Sequence, residues 1–428
     1  MTIITGSLGG QIDISIFSQK KEGKRITIDR LVAQSKTKNT IDYLVTTEDG
    51  THILDTKKLI TEVLTECYYG KEDEYGDEKD QRILAACFGV AAPVKVNPDT
   101  KDLEATIVRD AINLKVNLSK SGLQKWLCPH LVDSEGEPKL TDLPVSLVND
   151  MEAIAQNIFL REDESTICKT LYQPTQQETQ NDKQVKAVLL VAGGLGQLKS
   201  CKDKNTLVMD SSEGGHGRFA PVDEIQAELF LYLLKNRPPL EDKNDLPPIK
   251  QPITWEYVLS EPGLVRIYNF LKTYKYKEIT EPEDLRGELN EDNSNPKPII
   301  KKAIEGDHCC IESLKIFVSI MGAKAGELAL TYMAKDGIYL GGIKEVFDKL
   351  VDNSQFSLEN NTFSLKEIFL ETFFNQENNF IEYTKKIPVY IYPIENAVAW
   401  GAAWNIISAG LIPSGIFAYK RLEDRKRM

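Results

Sequence analysis

The sequence predicts a mixed α/β protein built as two α/β domains flanking a cleft. Three observations lead there. At 428 residues, with 41% hydrophobic and 27% charged side chains, the chain is long enough for two ordinary cores. Short apolar runs of strand length alternate with stretches where apolar residues recur every three or four positions, the mark of strands interleaved with helices. A glycine-rich turn follows each of two strand-like runs, and ligands of such proteins bind where loops converge.

Thr2 to Thr5, the turn Gly6-Ser7-Leu8-Gly9-Gly10 and the alternating Ile12, Ile14 and Ile16 predict a β-hairpin with one buried face. A helix is expected around Ile60, Val63 and Leu64, running into an exposed charged loop from Lys71 to Asp80, before Ile83 to Ala92 resumes as a buried strand ended by Pro93. Helical periodicity returns at Met151, Ile154 and Ile158, at Leu229 to Leu234, at Leu314, Phe317, Met321, Ala325 and Leu328, and from Ala397 to Leu411. Strand-like runs lie at Ala187 to Ala192, Gly337 to Leu340 and Ile387 to Tyr392. The polar stretches 173–184, 236–251, 275–298 and 353–363 read as surface insertions.

Composition excludes several classes. No apolar run approaches the roughly 20 residues of a membrane span, and Met1-Thr2-Ile3-Ile4 leads into a strand without a charged leader, so the expectation is a chain neither inserted nor exported. Seven cysteines at irregular spacing fit reduced thiols in the cytoplasm, and none has a metal-binding spacing. A net charge of −12 argues against nucleic-acid or membrane surfaces as partners. The short basic tail from Lys420 to Arg427 reads as a solvated helix end.

Three segments offer chemistry. Leu147-Val148-Asn149-Asp150 delivers an amide and a carboxylate from an apolar strand end to the start of a helix, where Asp150 reads either as an N-cap or as a catalytic group. Ser212-Glu213-Gly214-Gly215-His216 carries one of only four histidines, and its paired glycines let the backbone turn so that Glu213 and His216 point to one locus. In Ile253-Thr254-Trp255-Glu256-Tyr257-Val258, Thr254 reads as an N-cap and Glu256 as a first-turn carboxylate facing the helix dipole. His308-Cys309-Cys310 lacks any C-x-x-C partner and reads as a packed trio. The glycine loops Val191-Ala192-Gly193-Gly194-Leu195-Gly196-Gln197 and Gly341-Gly342-Ile343 suit either a phosphate cradle or plain turns, and neither is a P-loop.

Taken in order, these segments resemble the bacterial glucokinase family, a branch of the actin-like ATPase superfamily that includes the hexokinases. The likeness is carried by Val148-Asn149-Asp150, by Glu213-Gly-Gly-His216 with Phe219-Ala220-Pro221, and by Glu256-Tyr-Val-Leu-Ser260 with Pro262-Gly263-Leu264-Val265. Ile320-Met321-Gly322 with Leu328-Ala329-Leu330, and Gly341-Gly342-Ile343, complete it. The resemblance implies two actin-like ATPase-type domains, residues 1–155 with 398–428 forming the smaller and 156–397 the larger, a cleft that closes on sugar, and often a homodimer. It implies Asp150 as the general base on the 6-hydroxyl of glucose or a related hexose, with Asn149, Glu213, His216 and Glu256 bonding the other hydroxyls. It also implies ATP and Mg²⁺, held on turns containing Gly9, Gly10, Gly193, Gly194, Gly196, Gly341 and Gly342. No cysteine cluster follows His216, which sorts the chain with the zinc-free branch.

The phosphate side departs from the family pattern. An Asp-x-Gly-Gly-Thr turn is replaced by Ser7-Leu8-Gly9-Gly10-Gln11, and a Gly-x-Gly-Thr-Gly-Leu-Gly turn by Leu190-Val191-Ala192-Gly193-Gly194-Leu195-Gly196, with Gly193 in place of threonine. Two functional expectations result: an ATP-dependent glucokinase, and a catalytically impaired pseudokinase that binds glucose as a sensor or noncatalytic subunit. A filament or chaperone ATPase is disfavoured, having no use for Glu213 and His216.

Overall fold

The computed structural model describes residues 2–8, 11–22, 25–34, 38–39, 44–46, 52–54, 58, 62, 83–90, 92, 94–109, 114–127, 143–160, 168–175, 183–203, 206–239, 250–359, 361–393 and 397–408. The chain divides into two compact units, Met1–Glu162 with Ile394–Met428, and Asp163–Pro393. The division falls beyond the helix Asp150–Leu160, which a boundary at residue 155 would cut. Gly9 and Gly10, the charged stretch 71–80, Ile60, Val63 and Leu64, and the basic tail lie outside the described residues.

In the first unit, strand β1 (Thr2–Leu8) pairs antiparallel with β2 (Gln11–Glu22), so the expected hairpin forms. Strand β3 (Arg25–Gln34) extends it on one side. On the other, β4 (Ile83–Val90) and β5 (Val145–Asn149) run parallel to β1, giving the order β5-β4-β1-β2-β3. Parallel strands are covered on both faces and read as unbroken apolar runs; Ala85 to Val90 and Val145 to Val148 are buried accordingly. Helix α1 (Asp150–Leu160) begins directly after β5 and buries Met151, Ala153, Ile154, Ala155 and Ile158. The last helix, Ala397–Ser408, packs against α1, β4 and β1, which returns the C-terminal segment to this unit. A second, five-stranded sheet orders Leu44–Thr46, His52–Leu54, Leu114–Ser119, Leu103–Arg109 and Val94–Val96.

The second unit is built on a six-stranded sheet. Its early strands are β6 (Lys169–Tyr172), β7 (Lys183–Val191), β8 (Leu195–Asp203) and β9 (Thr206–Ser212). Helices α2 (Glu224–Asn236), α3 (Trp255–Val258), α4 (Glu261–Tyr274), α5 (Glu283–Glu291), α6 (Lys297–Glu305) and α7 (His308–Thr331) follow. Strand β10 (Ile338–Gly342), helices α8 (Lys344–Val351) and α9 (Leu365–Phe374), and strand β11 (Val389–Ile391) complete it, in the order β6-β11-β10-β7-β8-β9. The run Ala187 to Val191 is the C-terminal half of β7, parallel to β10 and antiparallel to β8, and is wholly buried. Helix α7 passes through the core and buries Leu314, Phe317, Met321, Ala325 and Leu328, the set whose spacing predicted it.

Two stretches read as insertions are ordered secondary structure. Residues 275–298 contain α5, where Leu285 and Leu289, one turn apart, are buried; two apolar positions suffice to dock a short helix that is otherwise charged. Residues 353–363 form a hairpin, Gln355–Leu358 against Asn361–Ser364, whose cross-strand pair Phe356 and Phe363 is buried. Among the described residues no helix is long and apolar enough to cross a membrane. The described cysteines, Cys87, Cys168, Cys201, Cys309 and Cys310, are free thiols. Burial pushes Cys309 up to about 12, the behaviour of a packed thiol rather than a reactive one.

Candidate functional site

In the first unit, β5 ends at Asn149 and α1 starts at Asp150. The helix cap falls to Asn149: its Oδ1 accepts from the Met151 N–H at 3.0 Å and the Glu152 N–H at 3.4 Å, while its Nδ2 donates to the Ala92 carbonyl at 3.2 Å. Asp150 is the first helical residue, and its Oδ1 accepts the Met151 N–H at 2.8 Å. The N-cap role open to Asp150 in the sequence is therefore taken by its neighbour. The carboxylate stands at the N-terminus of α1.

In the second unit, Glu213, His216 and Glu256 come together. His216 Nε2 lies 3.5 Å from Glu213 Oε2, and His216 Nδ1 lies 3.9 Å from Glu256 Oε1. The imidazole thus has a carboxylate beside each nitrogen. Glu213 and His216 are exposed, their side chains 73% and 60% accessible, and Glu256 is half-buried. The array is made of donors and acceptors open to a polar ligand.

Close packing, not backbone flexibility, explains the paired glycines. Neither Gly214 nor Gly215 has a positive φ. Instead the one-turn 3₁₀ helix Gly214–His216 lies flat on β8: a Cβ at Gly215 would stand 2.3 Å from the Leu195 carbonyl oxygen, and one at Gly214 would stand 1.8 Å from Gln197 Nε2. From below, Gln197 Nε2 donates to Ser212 Oγ at 2.8 Å and to Tyr332 Oη at 2.9 Å, and Ser212 Oγ accepts the Gly214 N–H at 3.2 Å.

The segment bearing Glu256 is stitched to the segment bearing His216. The Trp255 N–H donates to the Gly217 carbonyl at 2.9 Å and the Phe219 N–H to the Ile253 carbonyl at 3.0 Å. The Phe219 and Trp255 rings meet edge to face at 5.2 Å. Beneath Trp255 lies the ammonium of Lys324, 4.9 Å from a ring centroid; Lys324 is 2% exposed and paired with Glu327 at 2.9 Å. Thr254 caps α3 as its sequence predicts, accepting the Tyr257 N–H at 3.3 Å.

The glycine loop after β7 is shorter than its sequence suggested. Only Ala192, Gly193 and Gly194 form the turn; Gly196 lies within β8, paired with Leu190. Likewise Gly341 and Gly342 are the last residues of β10. Gly342 has φ +135° and sits so tightly on β7 that a Cβ would stand 1.7 Å from the Val191 carbonyl oxygen. Its glycine is thus demanded by the sheet itself.

Two carboxylates face the turn. The Leu195 N–H donates to Glu256 Oε2 at 3.0 Å, and a Cβ at Gly194 would stand 2.8 Å from the same oxygen. Glu261 anchors the other side, its N–H donating to the Ala192 carbonyl at 2.7 Å, with its Oε2 3.9 Å from where a Cβ of residue 193 would be. Burial pushes the Glu261 carboxyl above its usual range, Lys297 pulls it back, and Glu345 and Asp292 add to the rise. Sequence reasoning gave no role to Gln197, Tyr332, Lys324 and Glu261, because only the tertiary register brings them to the motif residues.

Comparison with known proteins agrees with this architecture. The profile of the glucokinase family matches residues 136–408. A glucokinase of Nostoc sp. (strain PCC 7120) is 29% identical over 332 residues, 74% of this chain and 80% of that protein. A glucokinase of Trichormus variabilis is 29% identical over 319 residues, 72% of this chain and 77% of its own. Among solved structures, glucokinase from an Antarctic psychrotroph superposes with a TM-score of 0.59 at 20% identity, covering 94% of this chain and 98% of that one. Glucokinase from Balamuthia mandrillaris, solved in complex with glucose, gives 0.61 at 17% identity, covering 94% and 92%. These likenesses establish the actin-like ATPase-type α/β fold. With the family profile spanning well over half of its length, the chain belongs to the glucokinase family of sugar kinases.

Proposed function

We propose that the chain transfers the γ-phosphoryl group of ATP to the 6-hydroxyl of glucose, releasing glucose 6-phosphate and ADP. The observation that most supports a sugar site is the His216 imidazole flanked by Glu213 and Glu256, on a backbone stiffened by the Leu195, Gln197 and Trp255 contacts. In this reading Glu213, His216, Glu256 and Asn149 bond the sugar hydroxyls. Such a site rejects analogues lacking a hydroxyl, since its own polar groups would be left unpaired. Asp150 takes the proton of the 6-hydroxyl as its oxygen bonds to the γ-phosphorus and the bond to the β-phosphate oxygen breaks. A cytoplasmic setting and a homodimer go with the same reading.

The donor set by the second phosphate turn bears on how nucleotide is held. Glu261 beside Gly193 repels a bare polyphosphate but suits a divalent ion carried by one. Mg²⁺ takes one or two carboxylates and leaves its other positions to phosphate oxygens and water. Among the described residues no group of three His, Cys, Asp or Glu would hold a metal alone, which a nucleotide-borne ion does not require. Mg²⁺ supplies charge neutralisation on the transferring phosphoryl group, and Glu261 is the residue of this unit that would hold it.

Calorimetric titration of glucose, then of Mg-ATP into the glucose complex, tests the proposal. Sugar binding followed by glucose 6-phosphate release is the expected result. Sugar binding with no response to nucleotide would remove the kinase and leave a sugar-binding protein; absence of sugar binding would remove both. In the same assay the ratio of ATP affinity with Mg²⁺ to that without it is expected to exceed one, because the ion neutralises phosphate charge. Glu261→Gln is expected to shrink that ratio towards one while tightening metal-free ATP. An unchanged ratio would take Glu261 out of this role.

A further inference from the structure

Tyr257, next to Glu256, is held between two arginines. The Arg237 guanidinium carbon lies 4.1 Å from the ring centroid and that of Arg266 lies 3.9 Å from it. Two planar guanidinium groups that near one centroid do not fit on one face, so the ring is sandwiched. Each arginine is also tied to the chain around it. Arg237, at the C-cap of α2, donates through Nη1 to the Pro252 carbonyl and through Nη2 to Gln251 Oε1 at 2.7 Å. Arg266, on α4, donates through Nη1 to the Tyr257 carbonyl at 3.0 Å. The segment 251–257 is thereby bracketed by two helices that do not themselves belong to the sugar array.

This arrangement is costly unless it serves placement. Two like charges share one ring, and burial pulls the Arg266 guanidinium below its ordinary range, Arg237 pulling the same way and the charge of Glu256 acting against it. Cation–π contacts offset such a cost where the groups are partly desolvated, as Arg266 is. Helix α3 is a single turn of four residues, too short to hold its own direction. The bond from Leu195 and the stitching of Trp255 hold one side of that turn, and the grip on the neighbouring ring holds the other.

We propose that Arg237, Tyr257 and Arg266 are positioning residues that fix the bearing of the Glu256 carboxylate towards the sugar. The inference rests on the reading of Glu256 as a sugar ligand. Its test therefore measures both, by glucose titration without nucleotide. Tyr257→Leu and Arg266→Met are each expected to weaken glucose binding about tenfold, the equivalent of one such contact. Tyr257→Phe keeps both ring faces and is expected to stay within about threefold of the unsubstituted protein.

Glu256→Gln supplies the second axis. In that background Tyr257→Leu and Arg266→Met are expected to cost nothing further, because the group they orient is already disabled. Equal losses in both backgrounds, or no loss from either variant in the unsubstituted protein, would overturn the clamp and mark the sandwich as purely structural. Were Glu256→Gln to bind glucose normally, the sugar-ligand reading itself would fall, and the clamp with it. Arg266→Met, which keeps its stem packing, decides the matter should Tyr257→Leu fold poorly.

Discussion

Asp150→Asn is expected to lower kcat by about 10²–10⁴-fold while leaving glucose affinity within a few-fold. The substitution keeps size and polarity but removes the basic oxygen proposed to accept the 6-hydroxyl proton, so on that proposal the loss falls on the chemical step. The start of α1 survives it, because Asn149 supplies the cap through its bonds to Met151 and Glu152. Loss of a charge at the helix N-terminus costs only about 0.5 kcal/mol. A coupled assay at saturating glucose and ATP, paired with calorimetry on the same variant, separates the two quantities. A kcat within about tenfold of the unsubstituted protein would place the general base elsewhere.

Gly342→Ala is expected to destabilise the second unit by about 4 kcal/mol, adding the strain of a side chain at a glycine-only φ to a clash with fixed backbone. The φ of +135° and the 1.7 Å approach to the Val191 carbonyl leave the new methyl group nowhere to go, because β7 and β10 are locked by parallel pairing. For a unit of this size the thermal midpoint should fall by about 8–16 °C. The shift should appear without any ligand, which separates a sheet-closing glycine from one that contacts nucleotide. A variant with an unchanged midpoint and impaired ATP binding would favour the nucleotide role expected from sequence over the packing one.

The readable parts of the sequence were those governed by near neighbours. The hairpin at the start, the buried run Ala187 to Val191, the Thr254 cap and the stripe along α7 follow from period and spacing alone. Glycines were read less well, since a sequence says that a Cβ is missing but not what fills its place. Gly214 and Gly215 are small because β8 runs beneath them, and Gly196 and Gly341 are strand residues. The cap that the sequence offered to Asp150 falls to Asn149, a difference decided by a single residue of register at the strand end. Arg237 and Arg266 lie 20 residues before and 9 after Tyr257 in the chain, on separate helices; nothing in their spacing announces that they meet on one ring. The altered phosphate turn read as a loss of groups, whereas the structure fills its surroundings with Glu256 and Glu261.

The N–H of Leu195, the first residue of β8 after the glycine turn, donates to the carboxylate of Glu256, the residue proposed to bind sugar. Anything that displaces the turn displaces that carboxylate, and a sugar that immobilises Glu256 restrains the turn in return. Linkage of this kind is reciprocal: each ligand alters the equilibrium affinity of the other by the same factor. If Glu256 binds sugar and the turn binds nucleotide, as proposed, a single 3.0 Å bond from backbone to side chain would couple the two ligands.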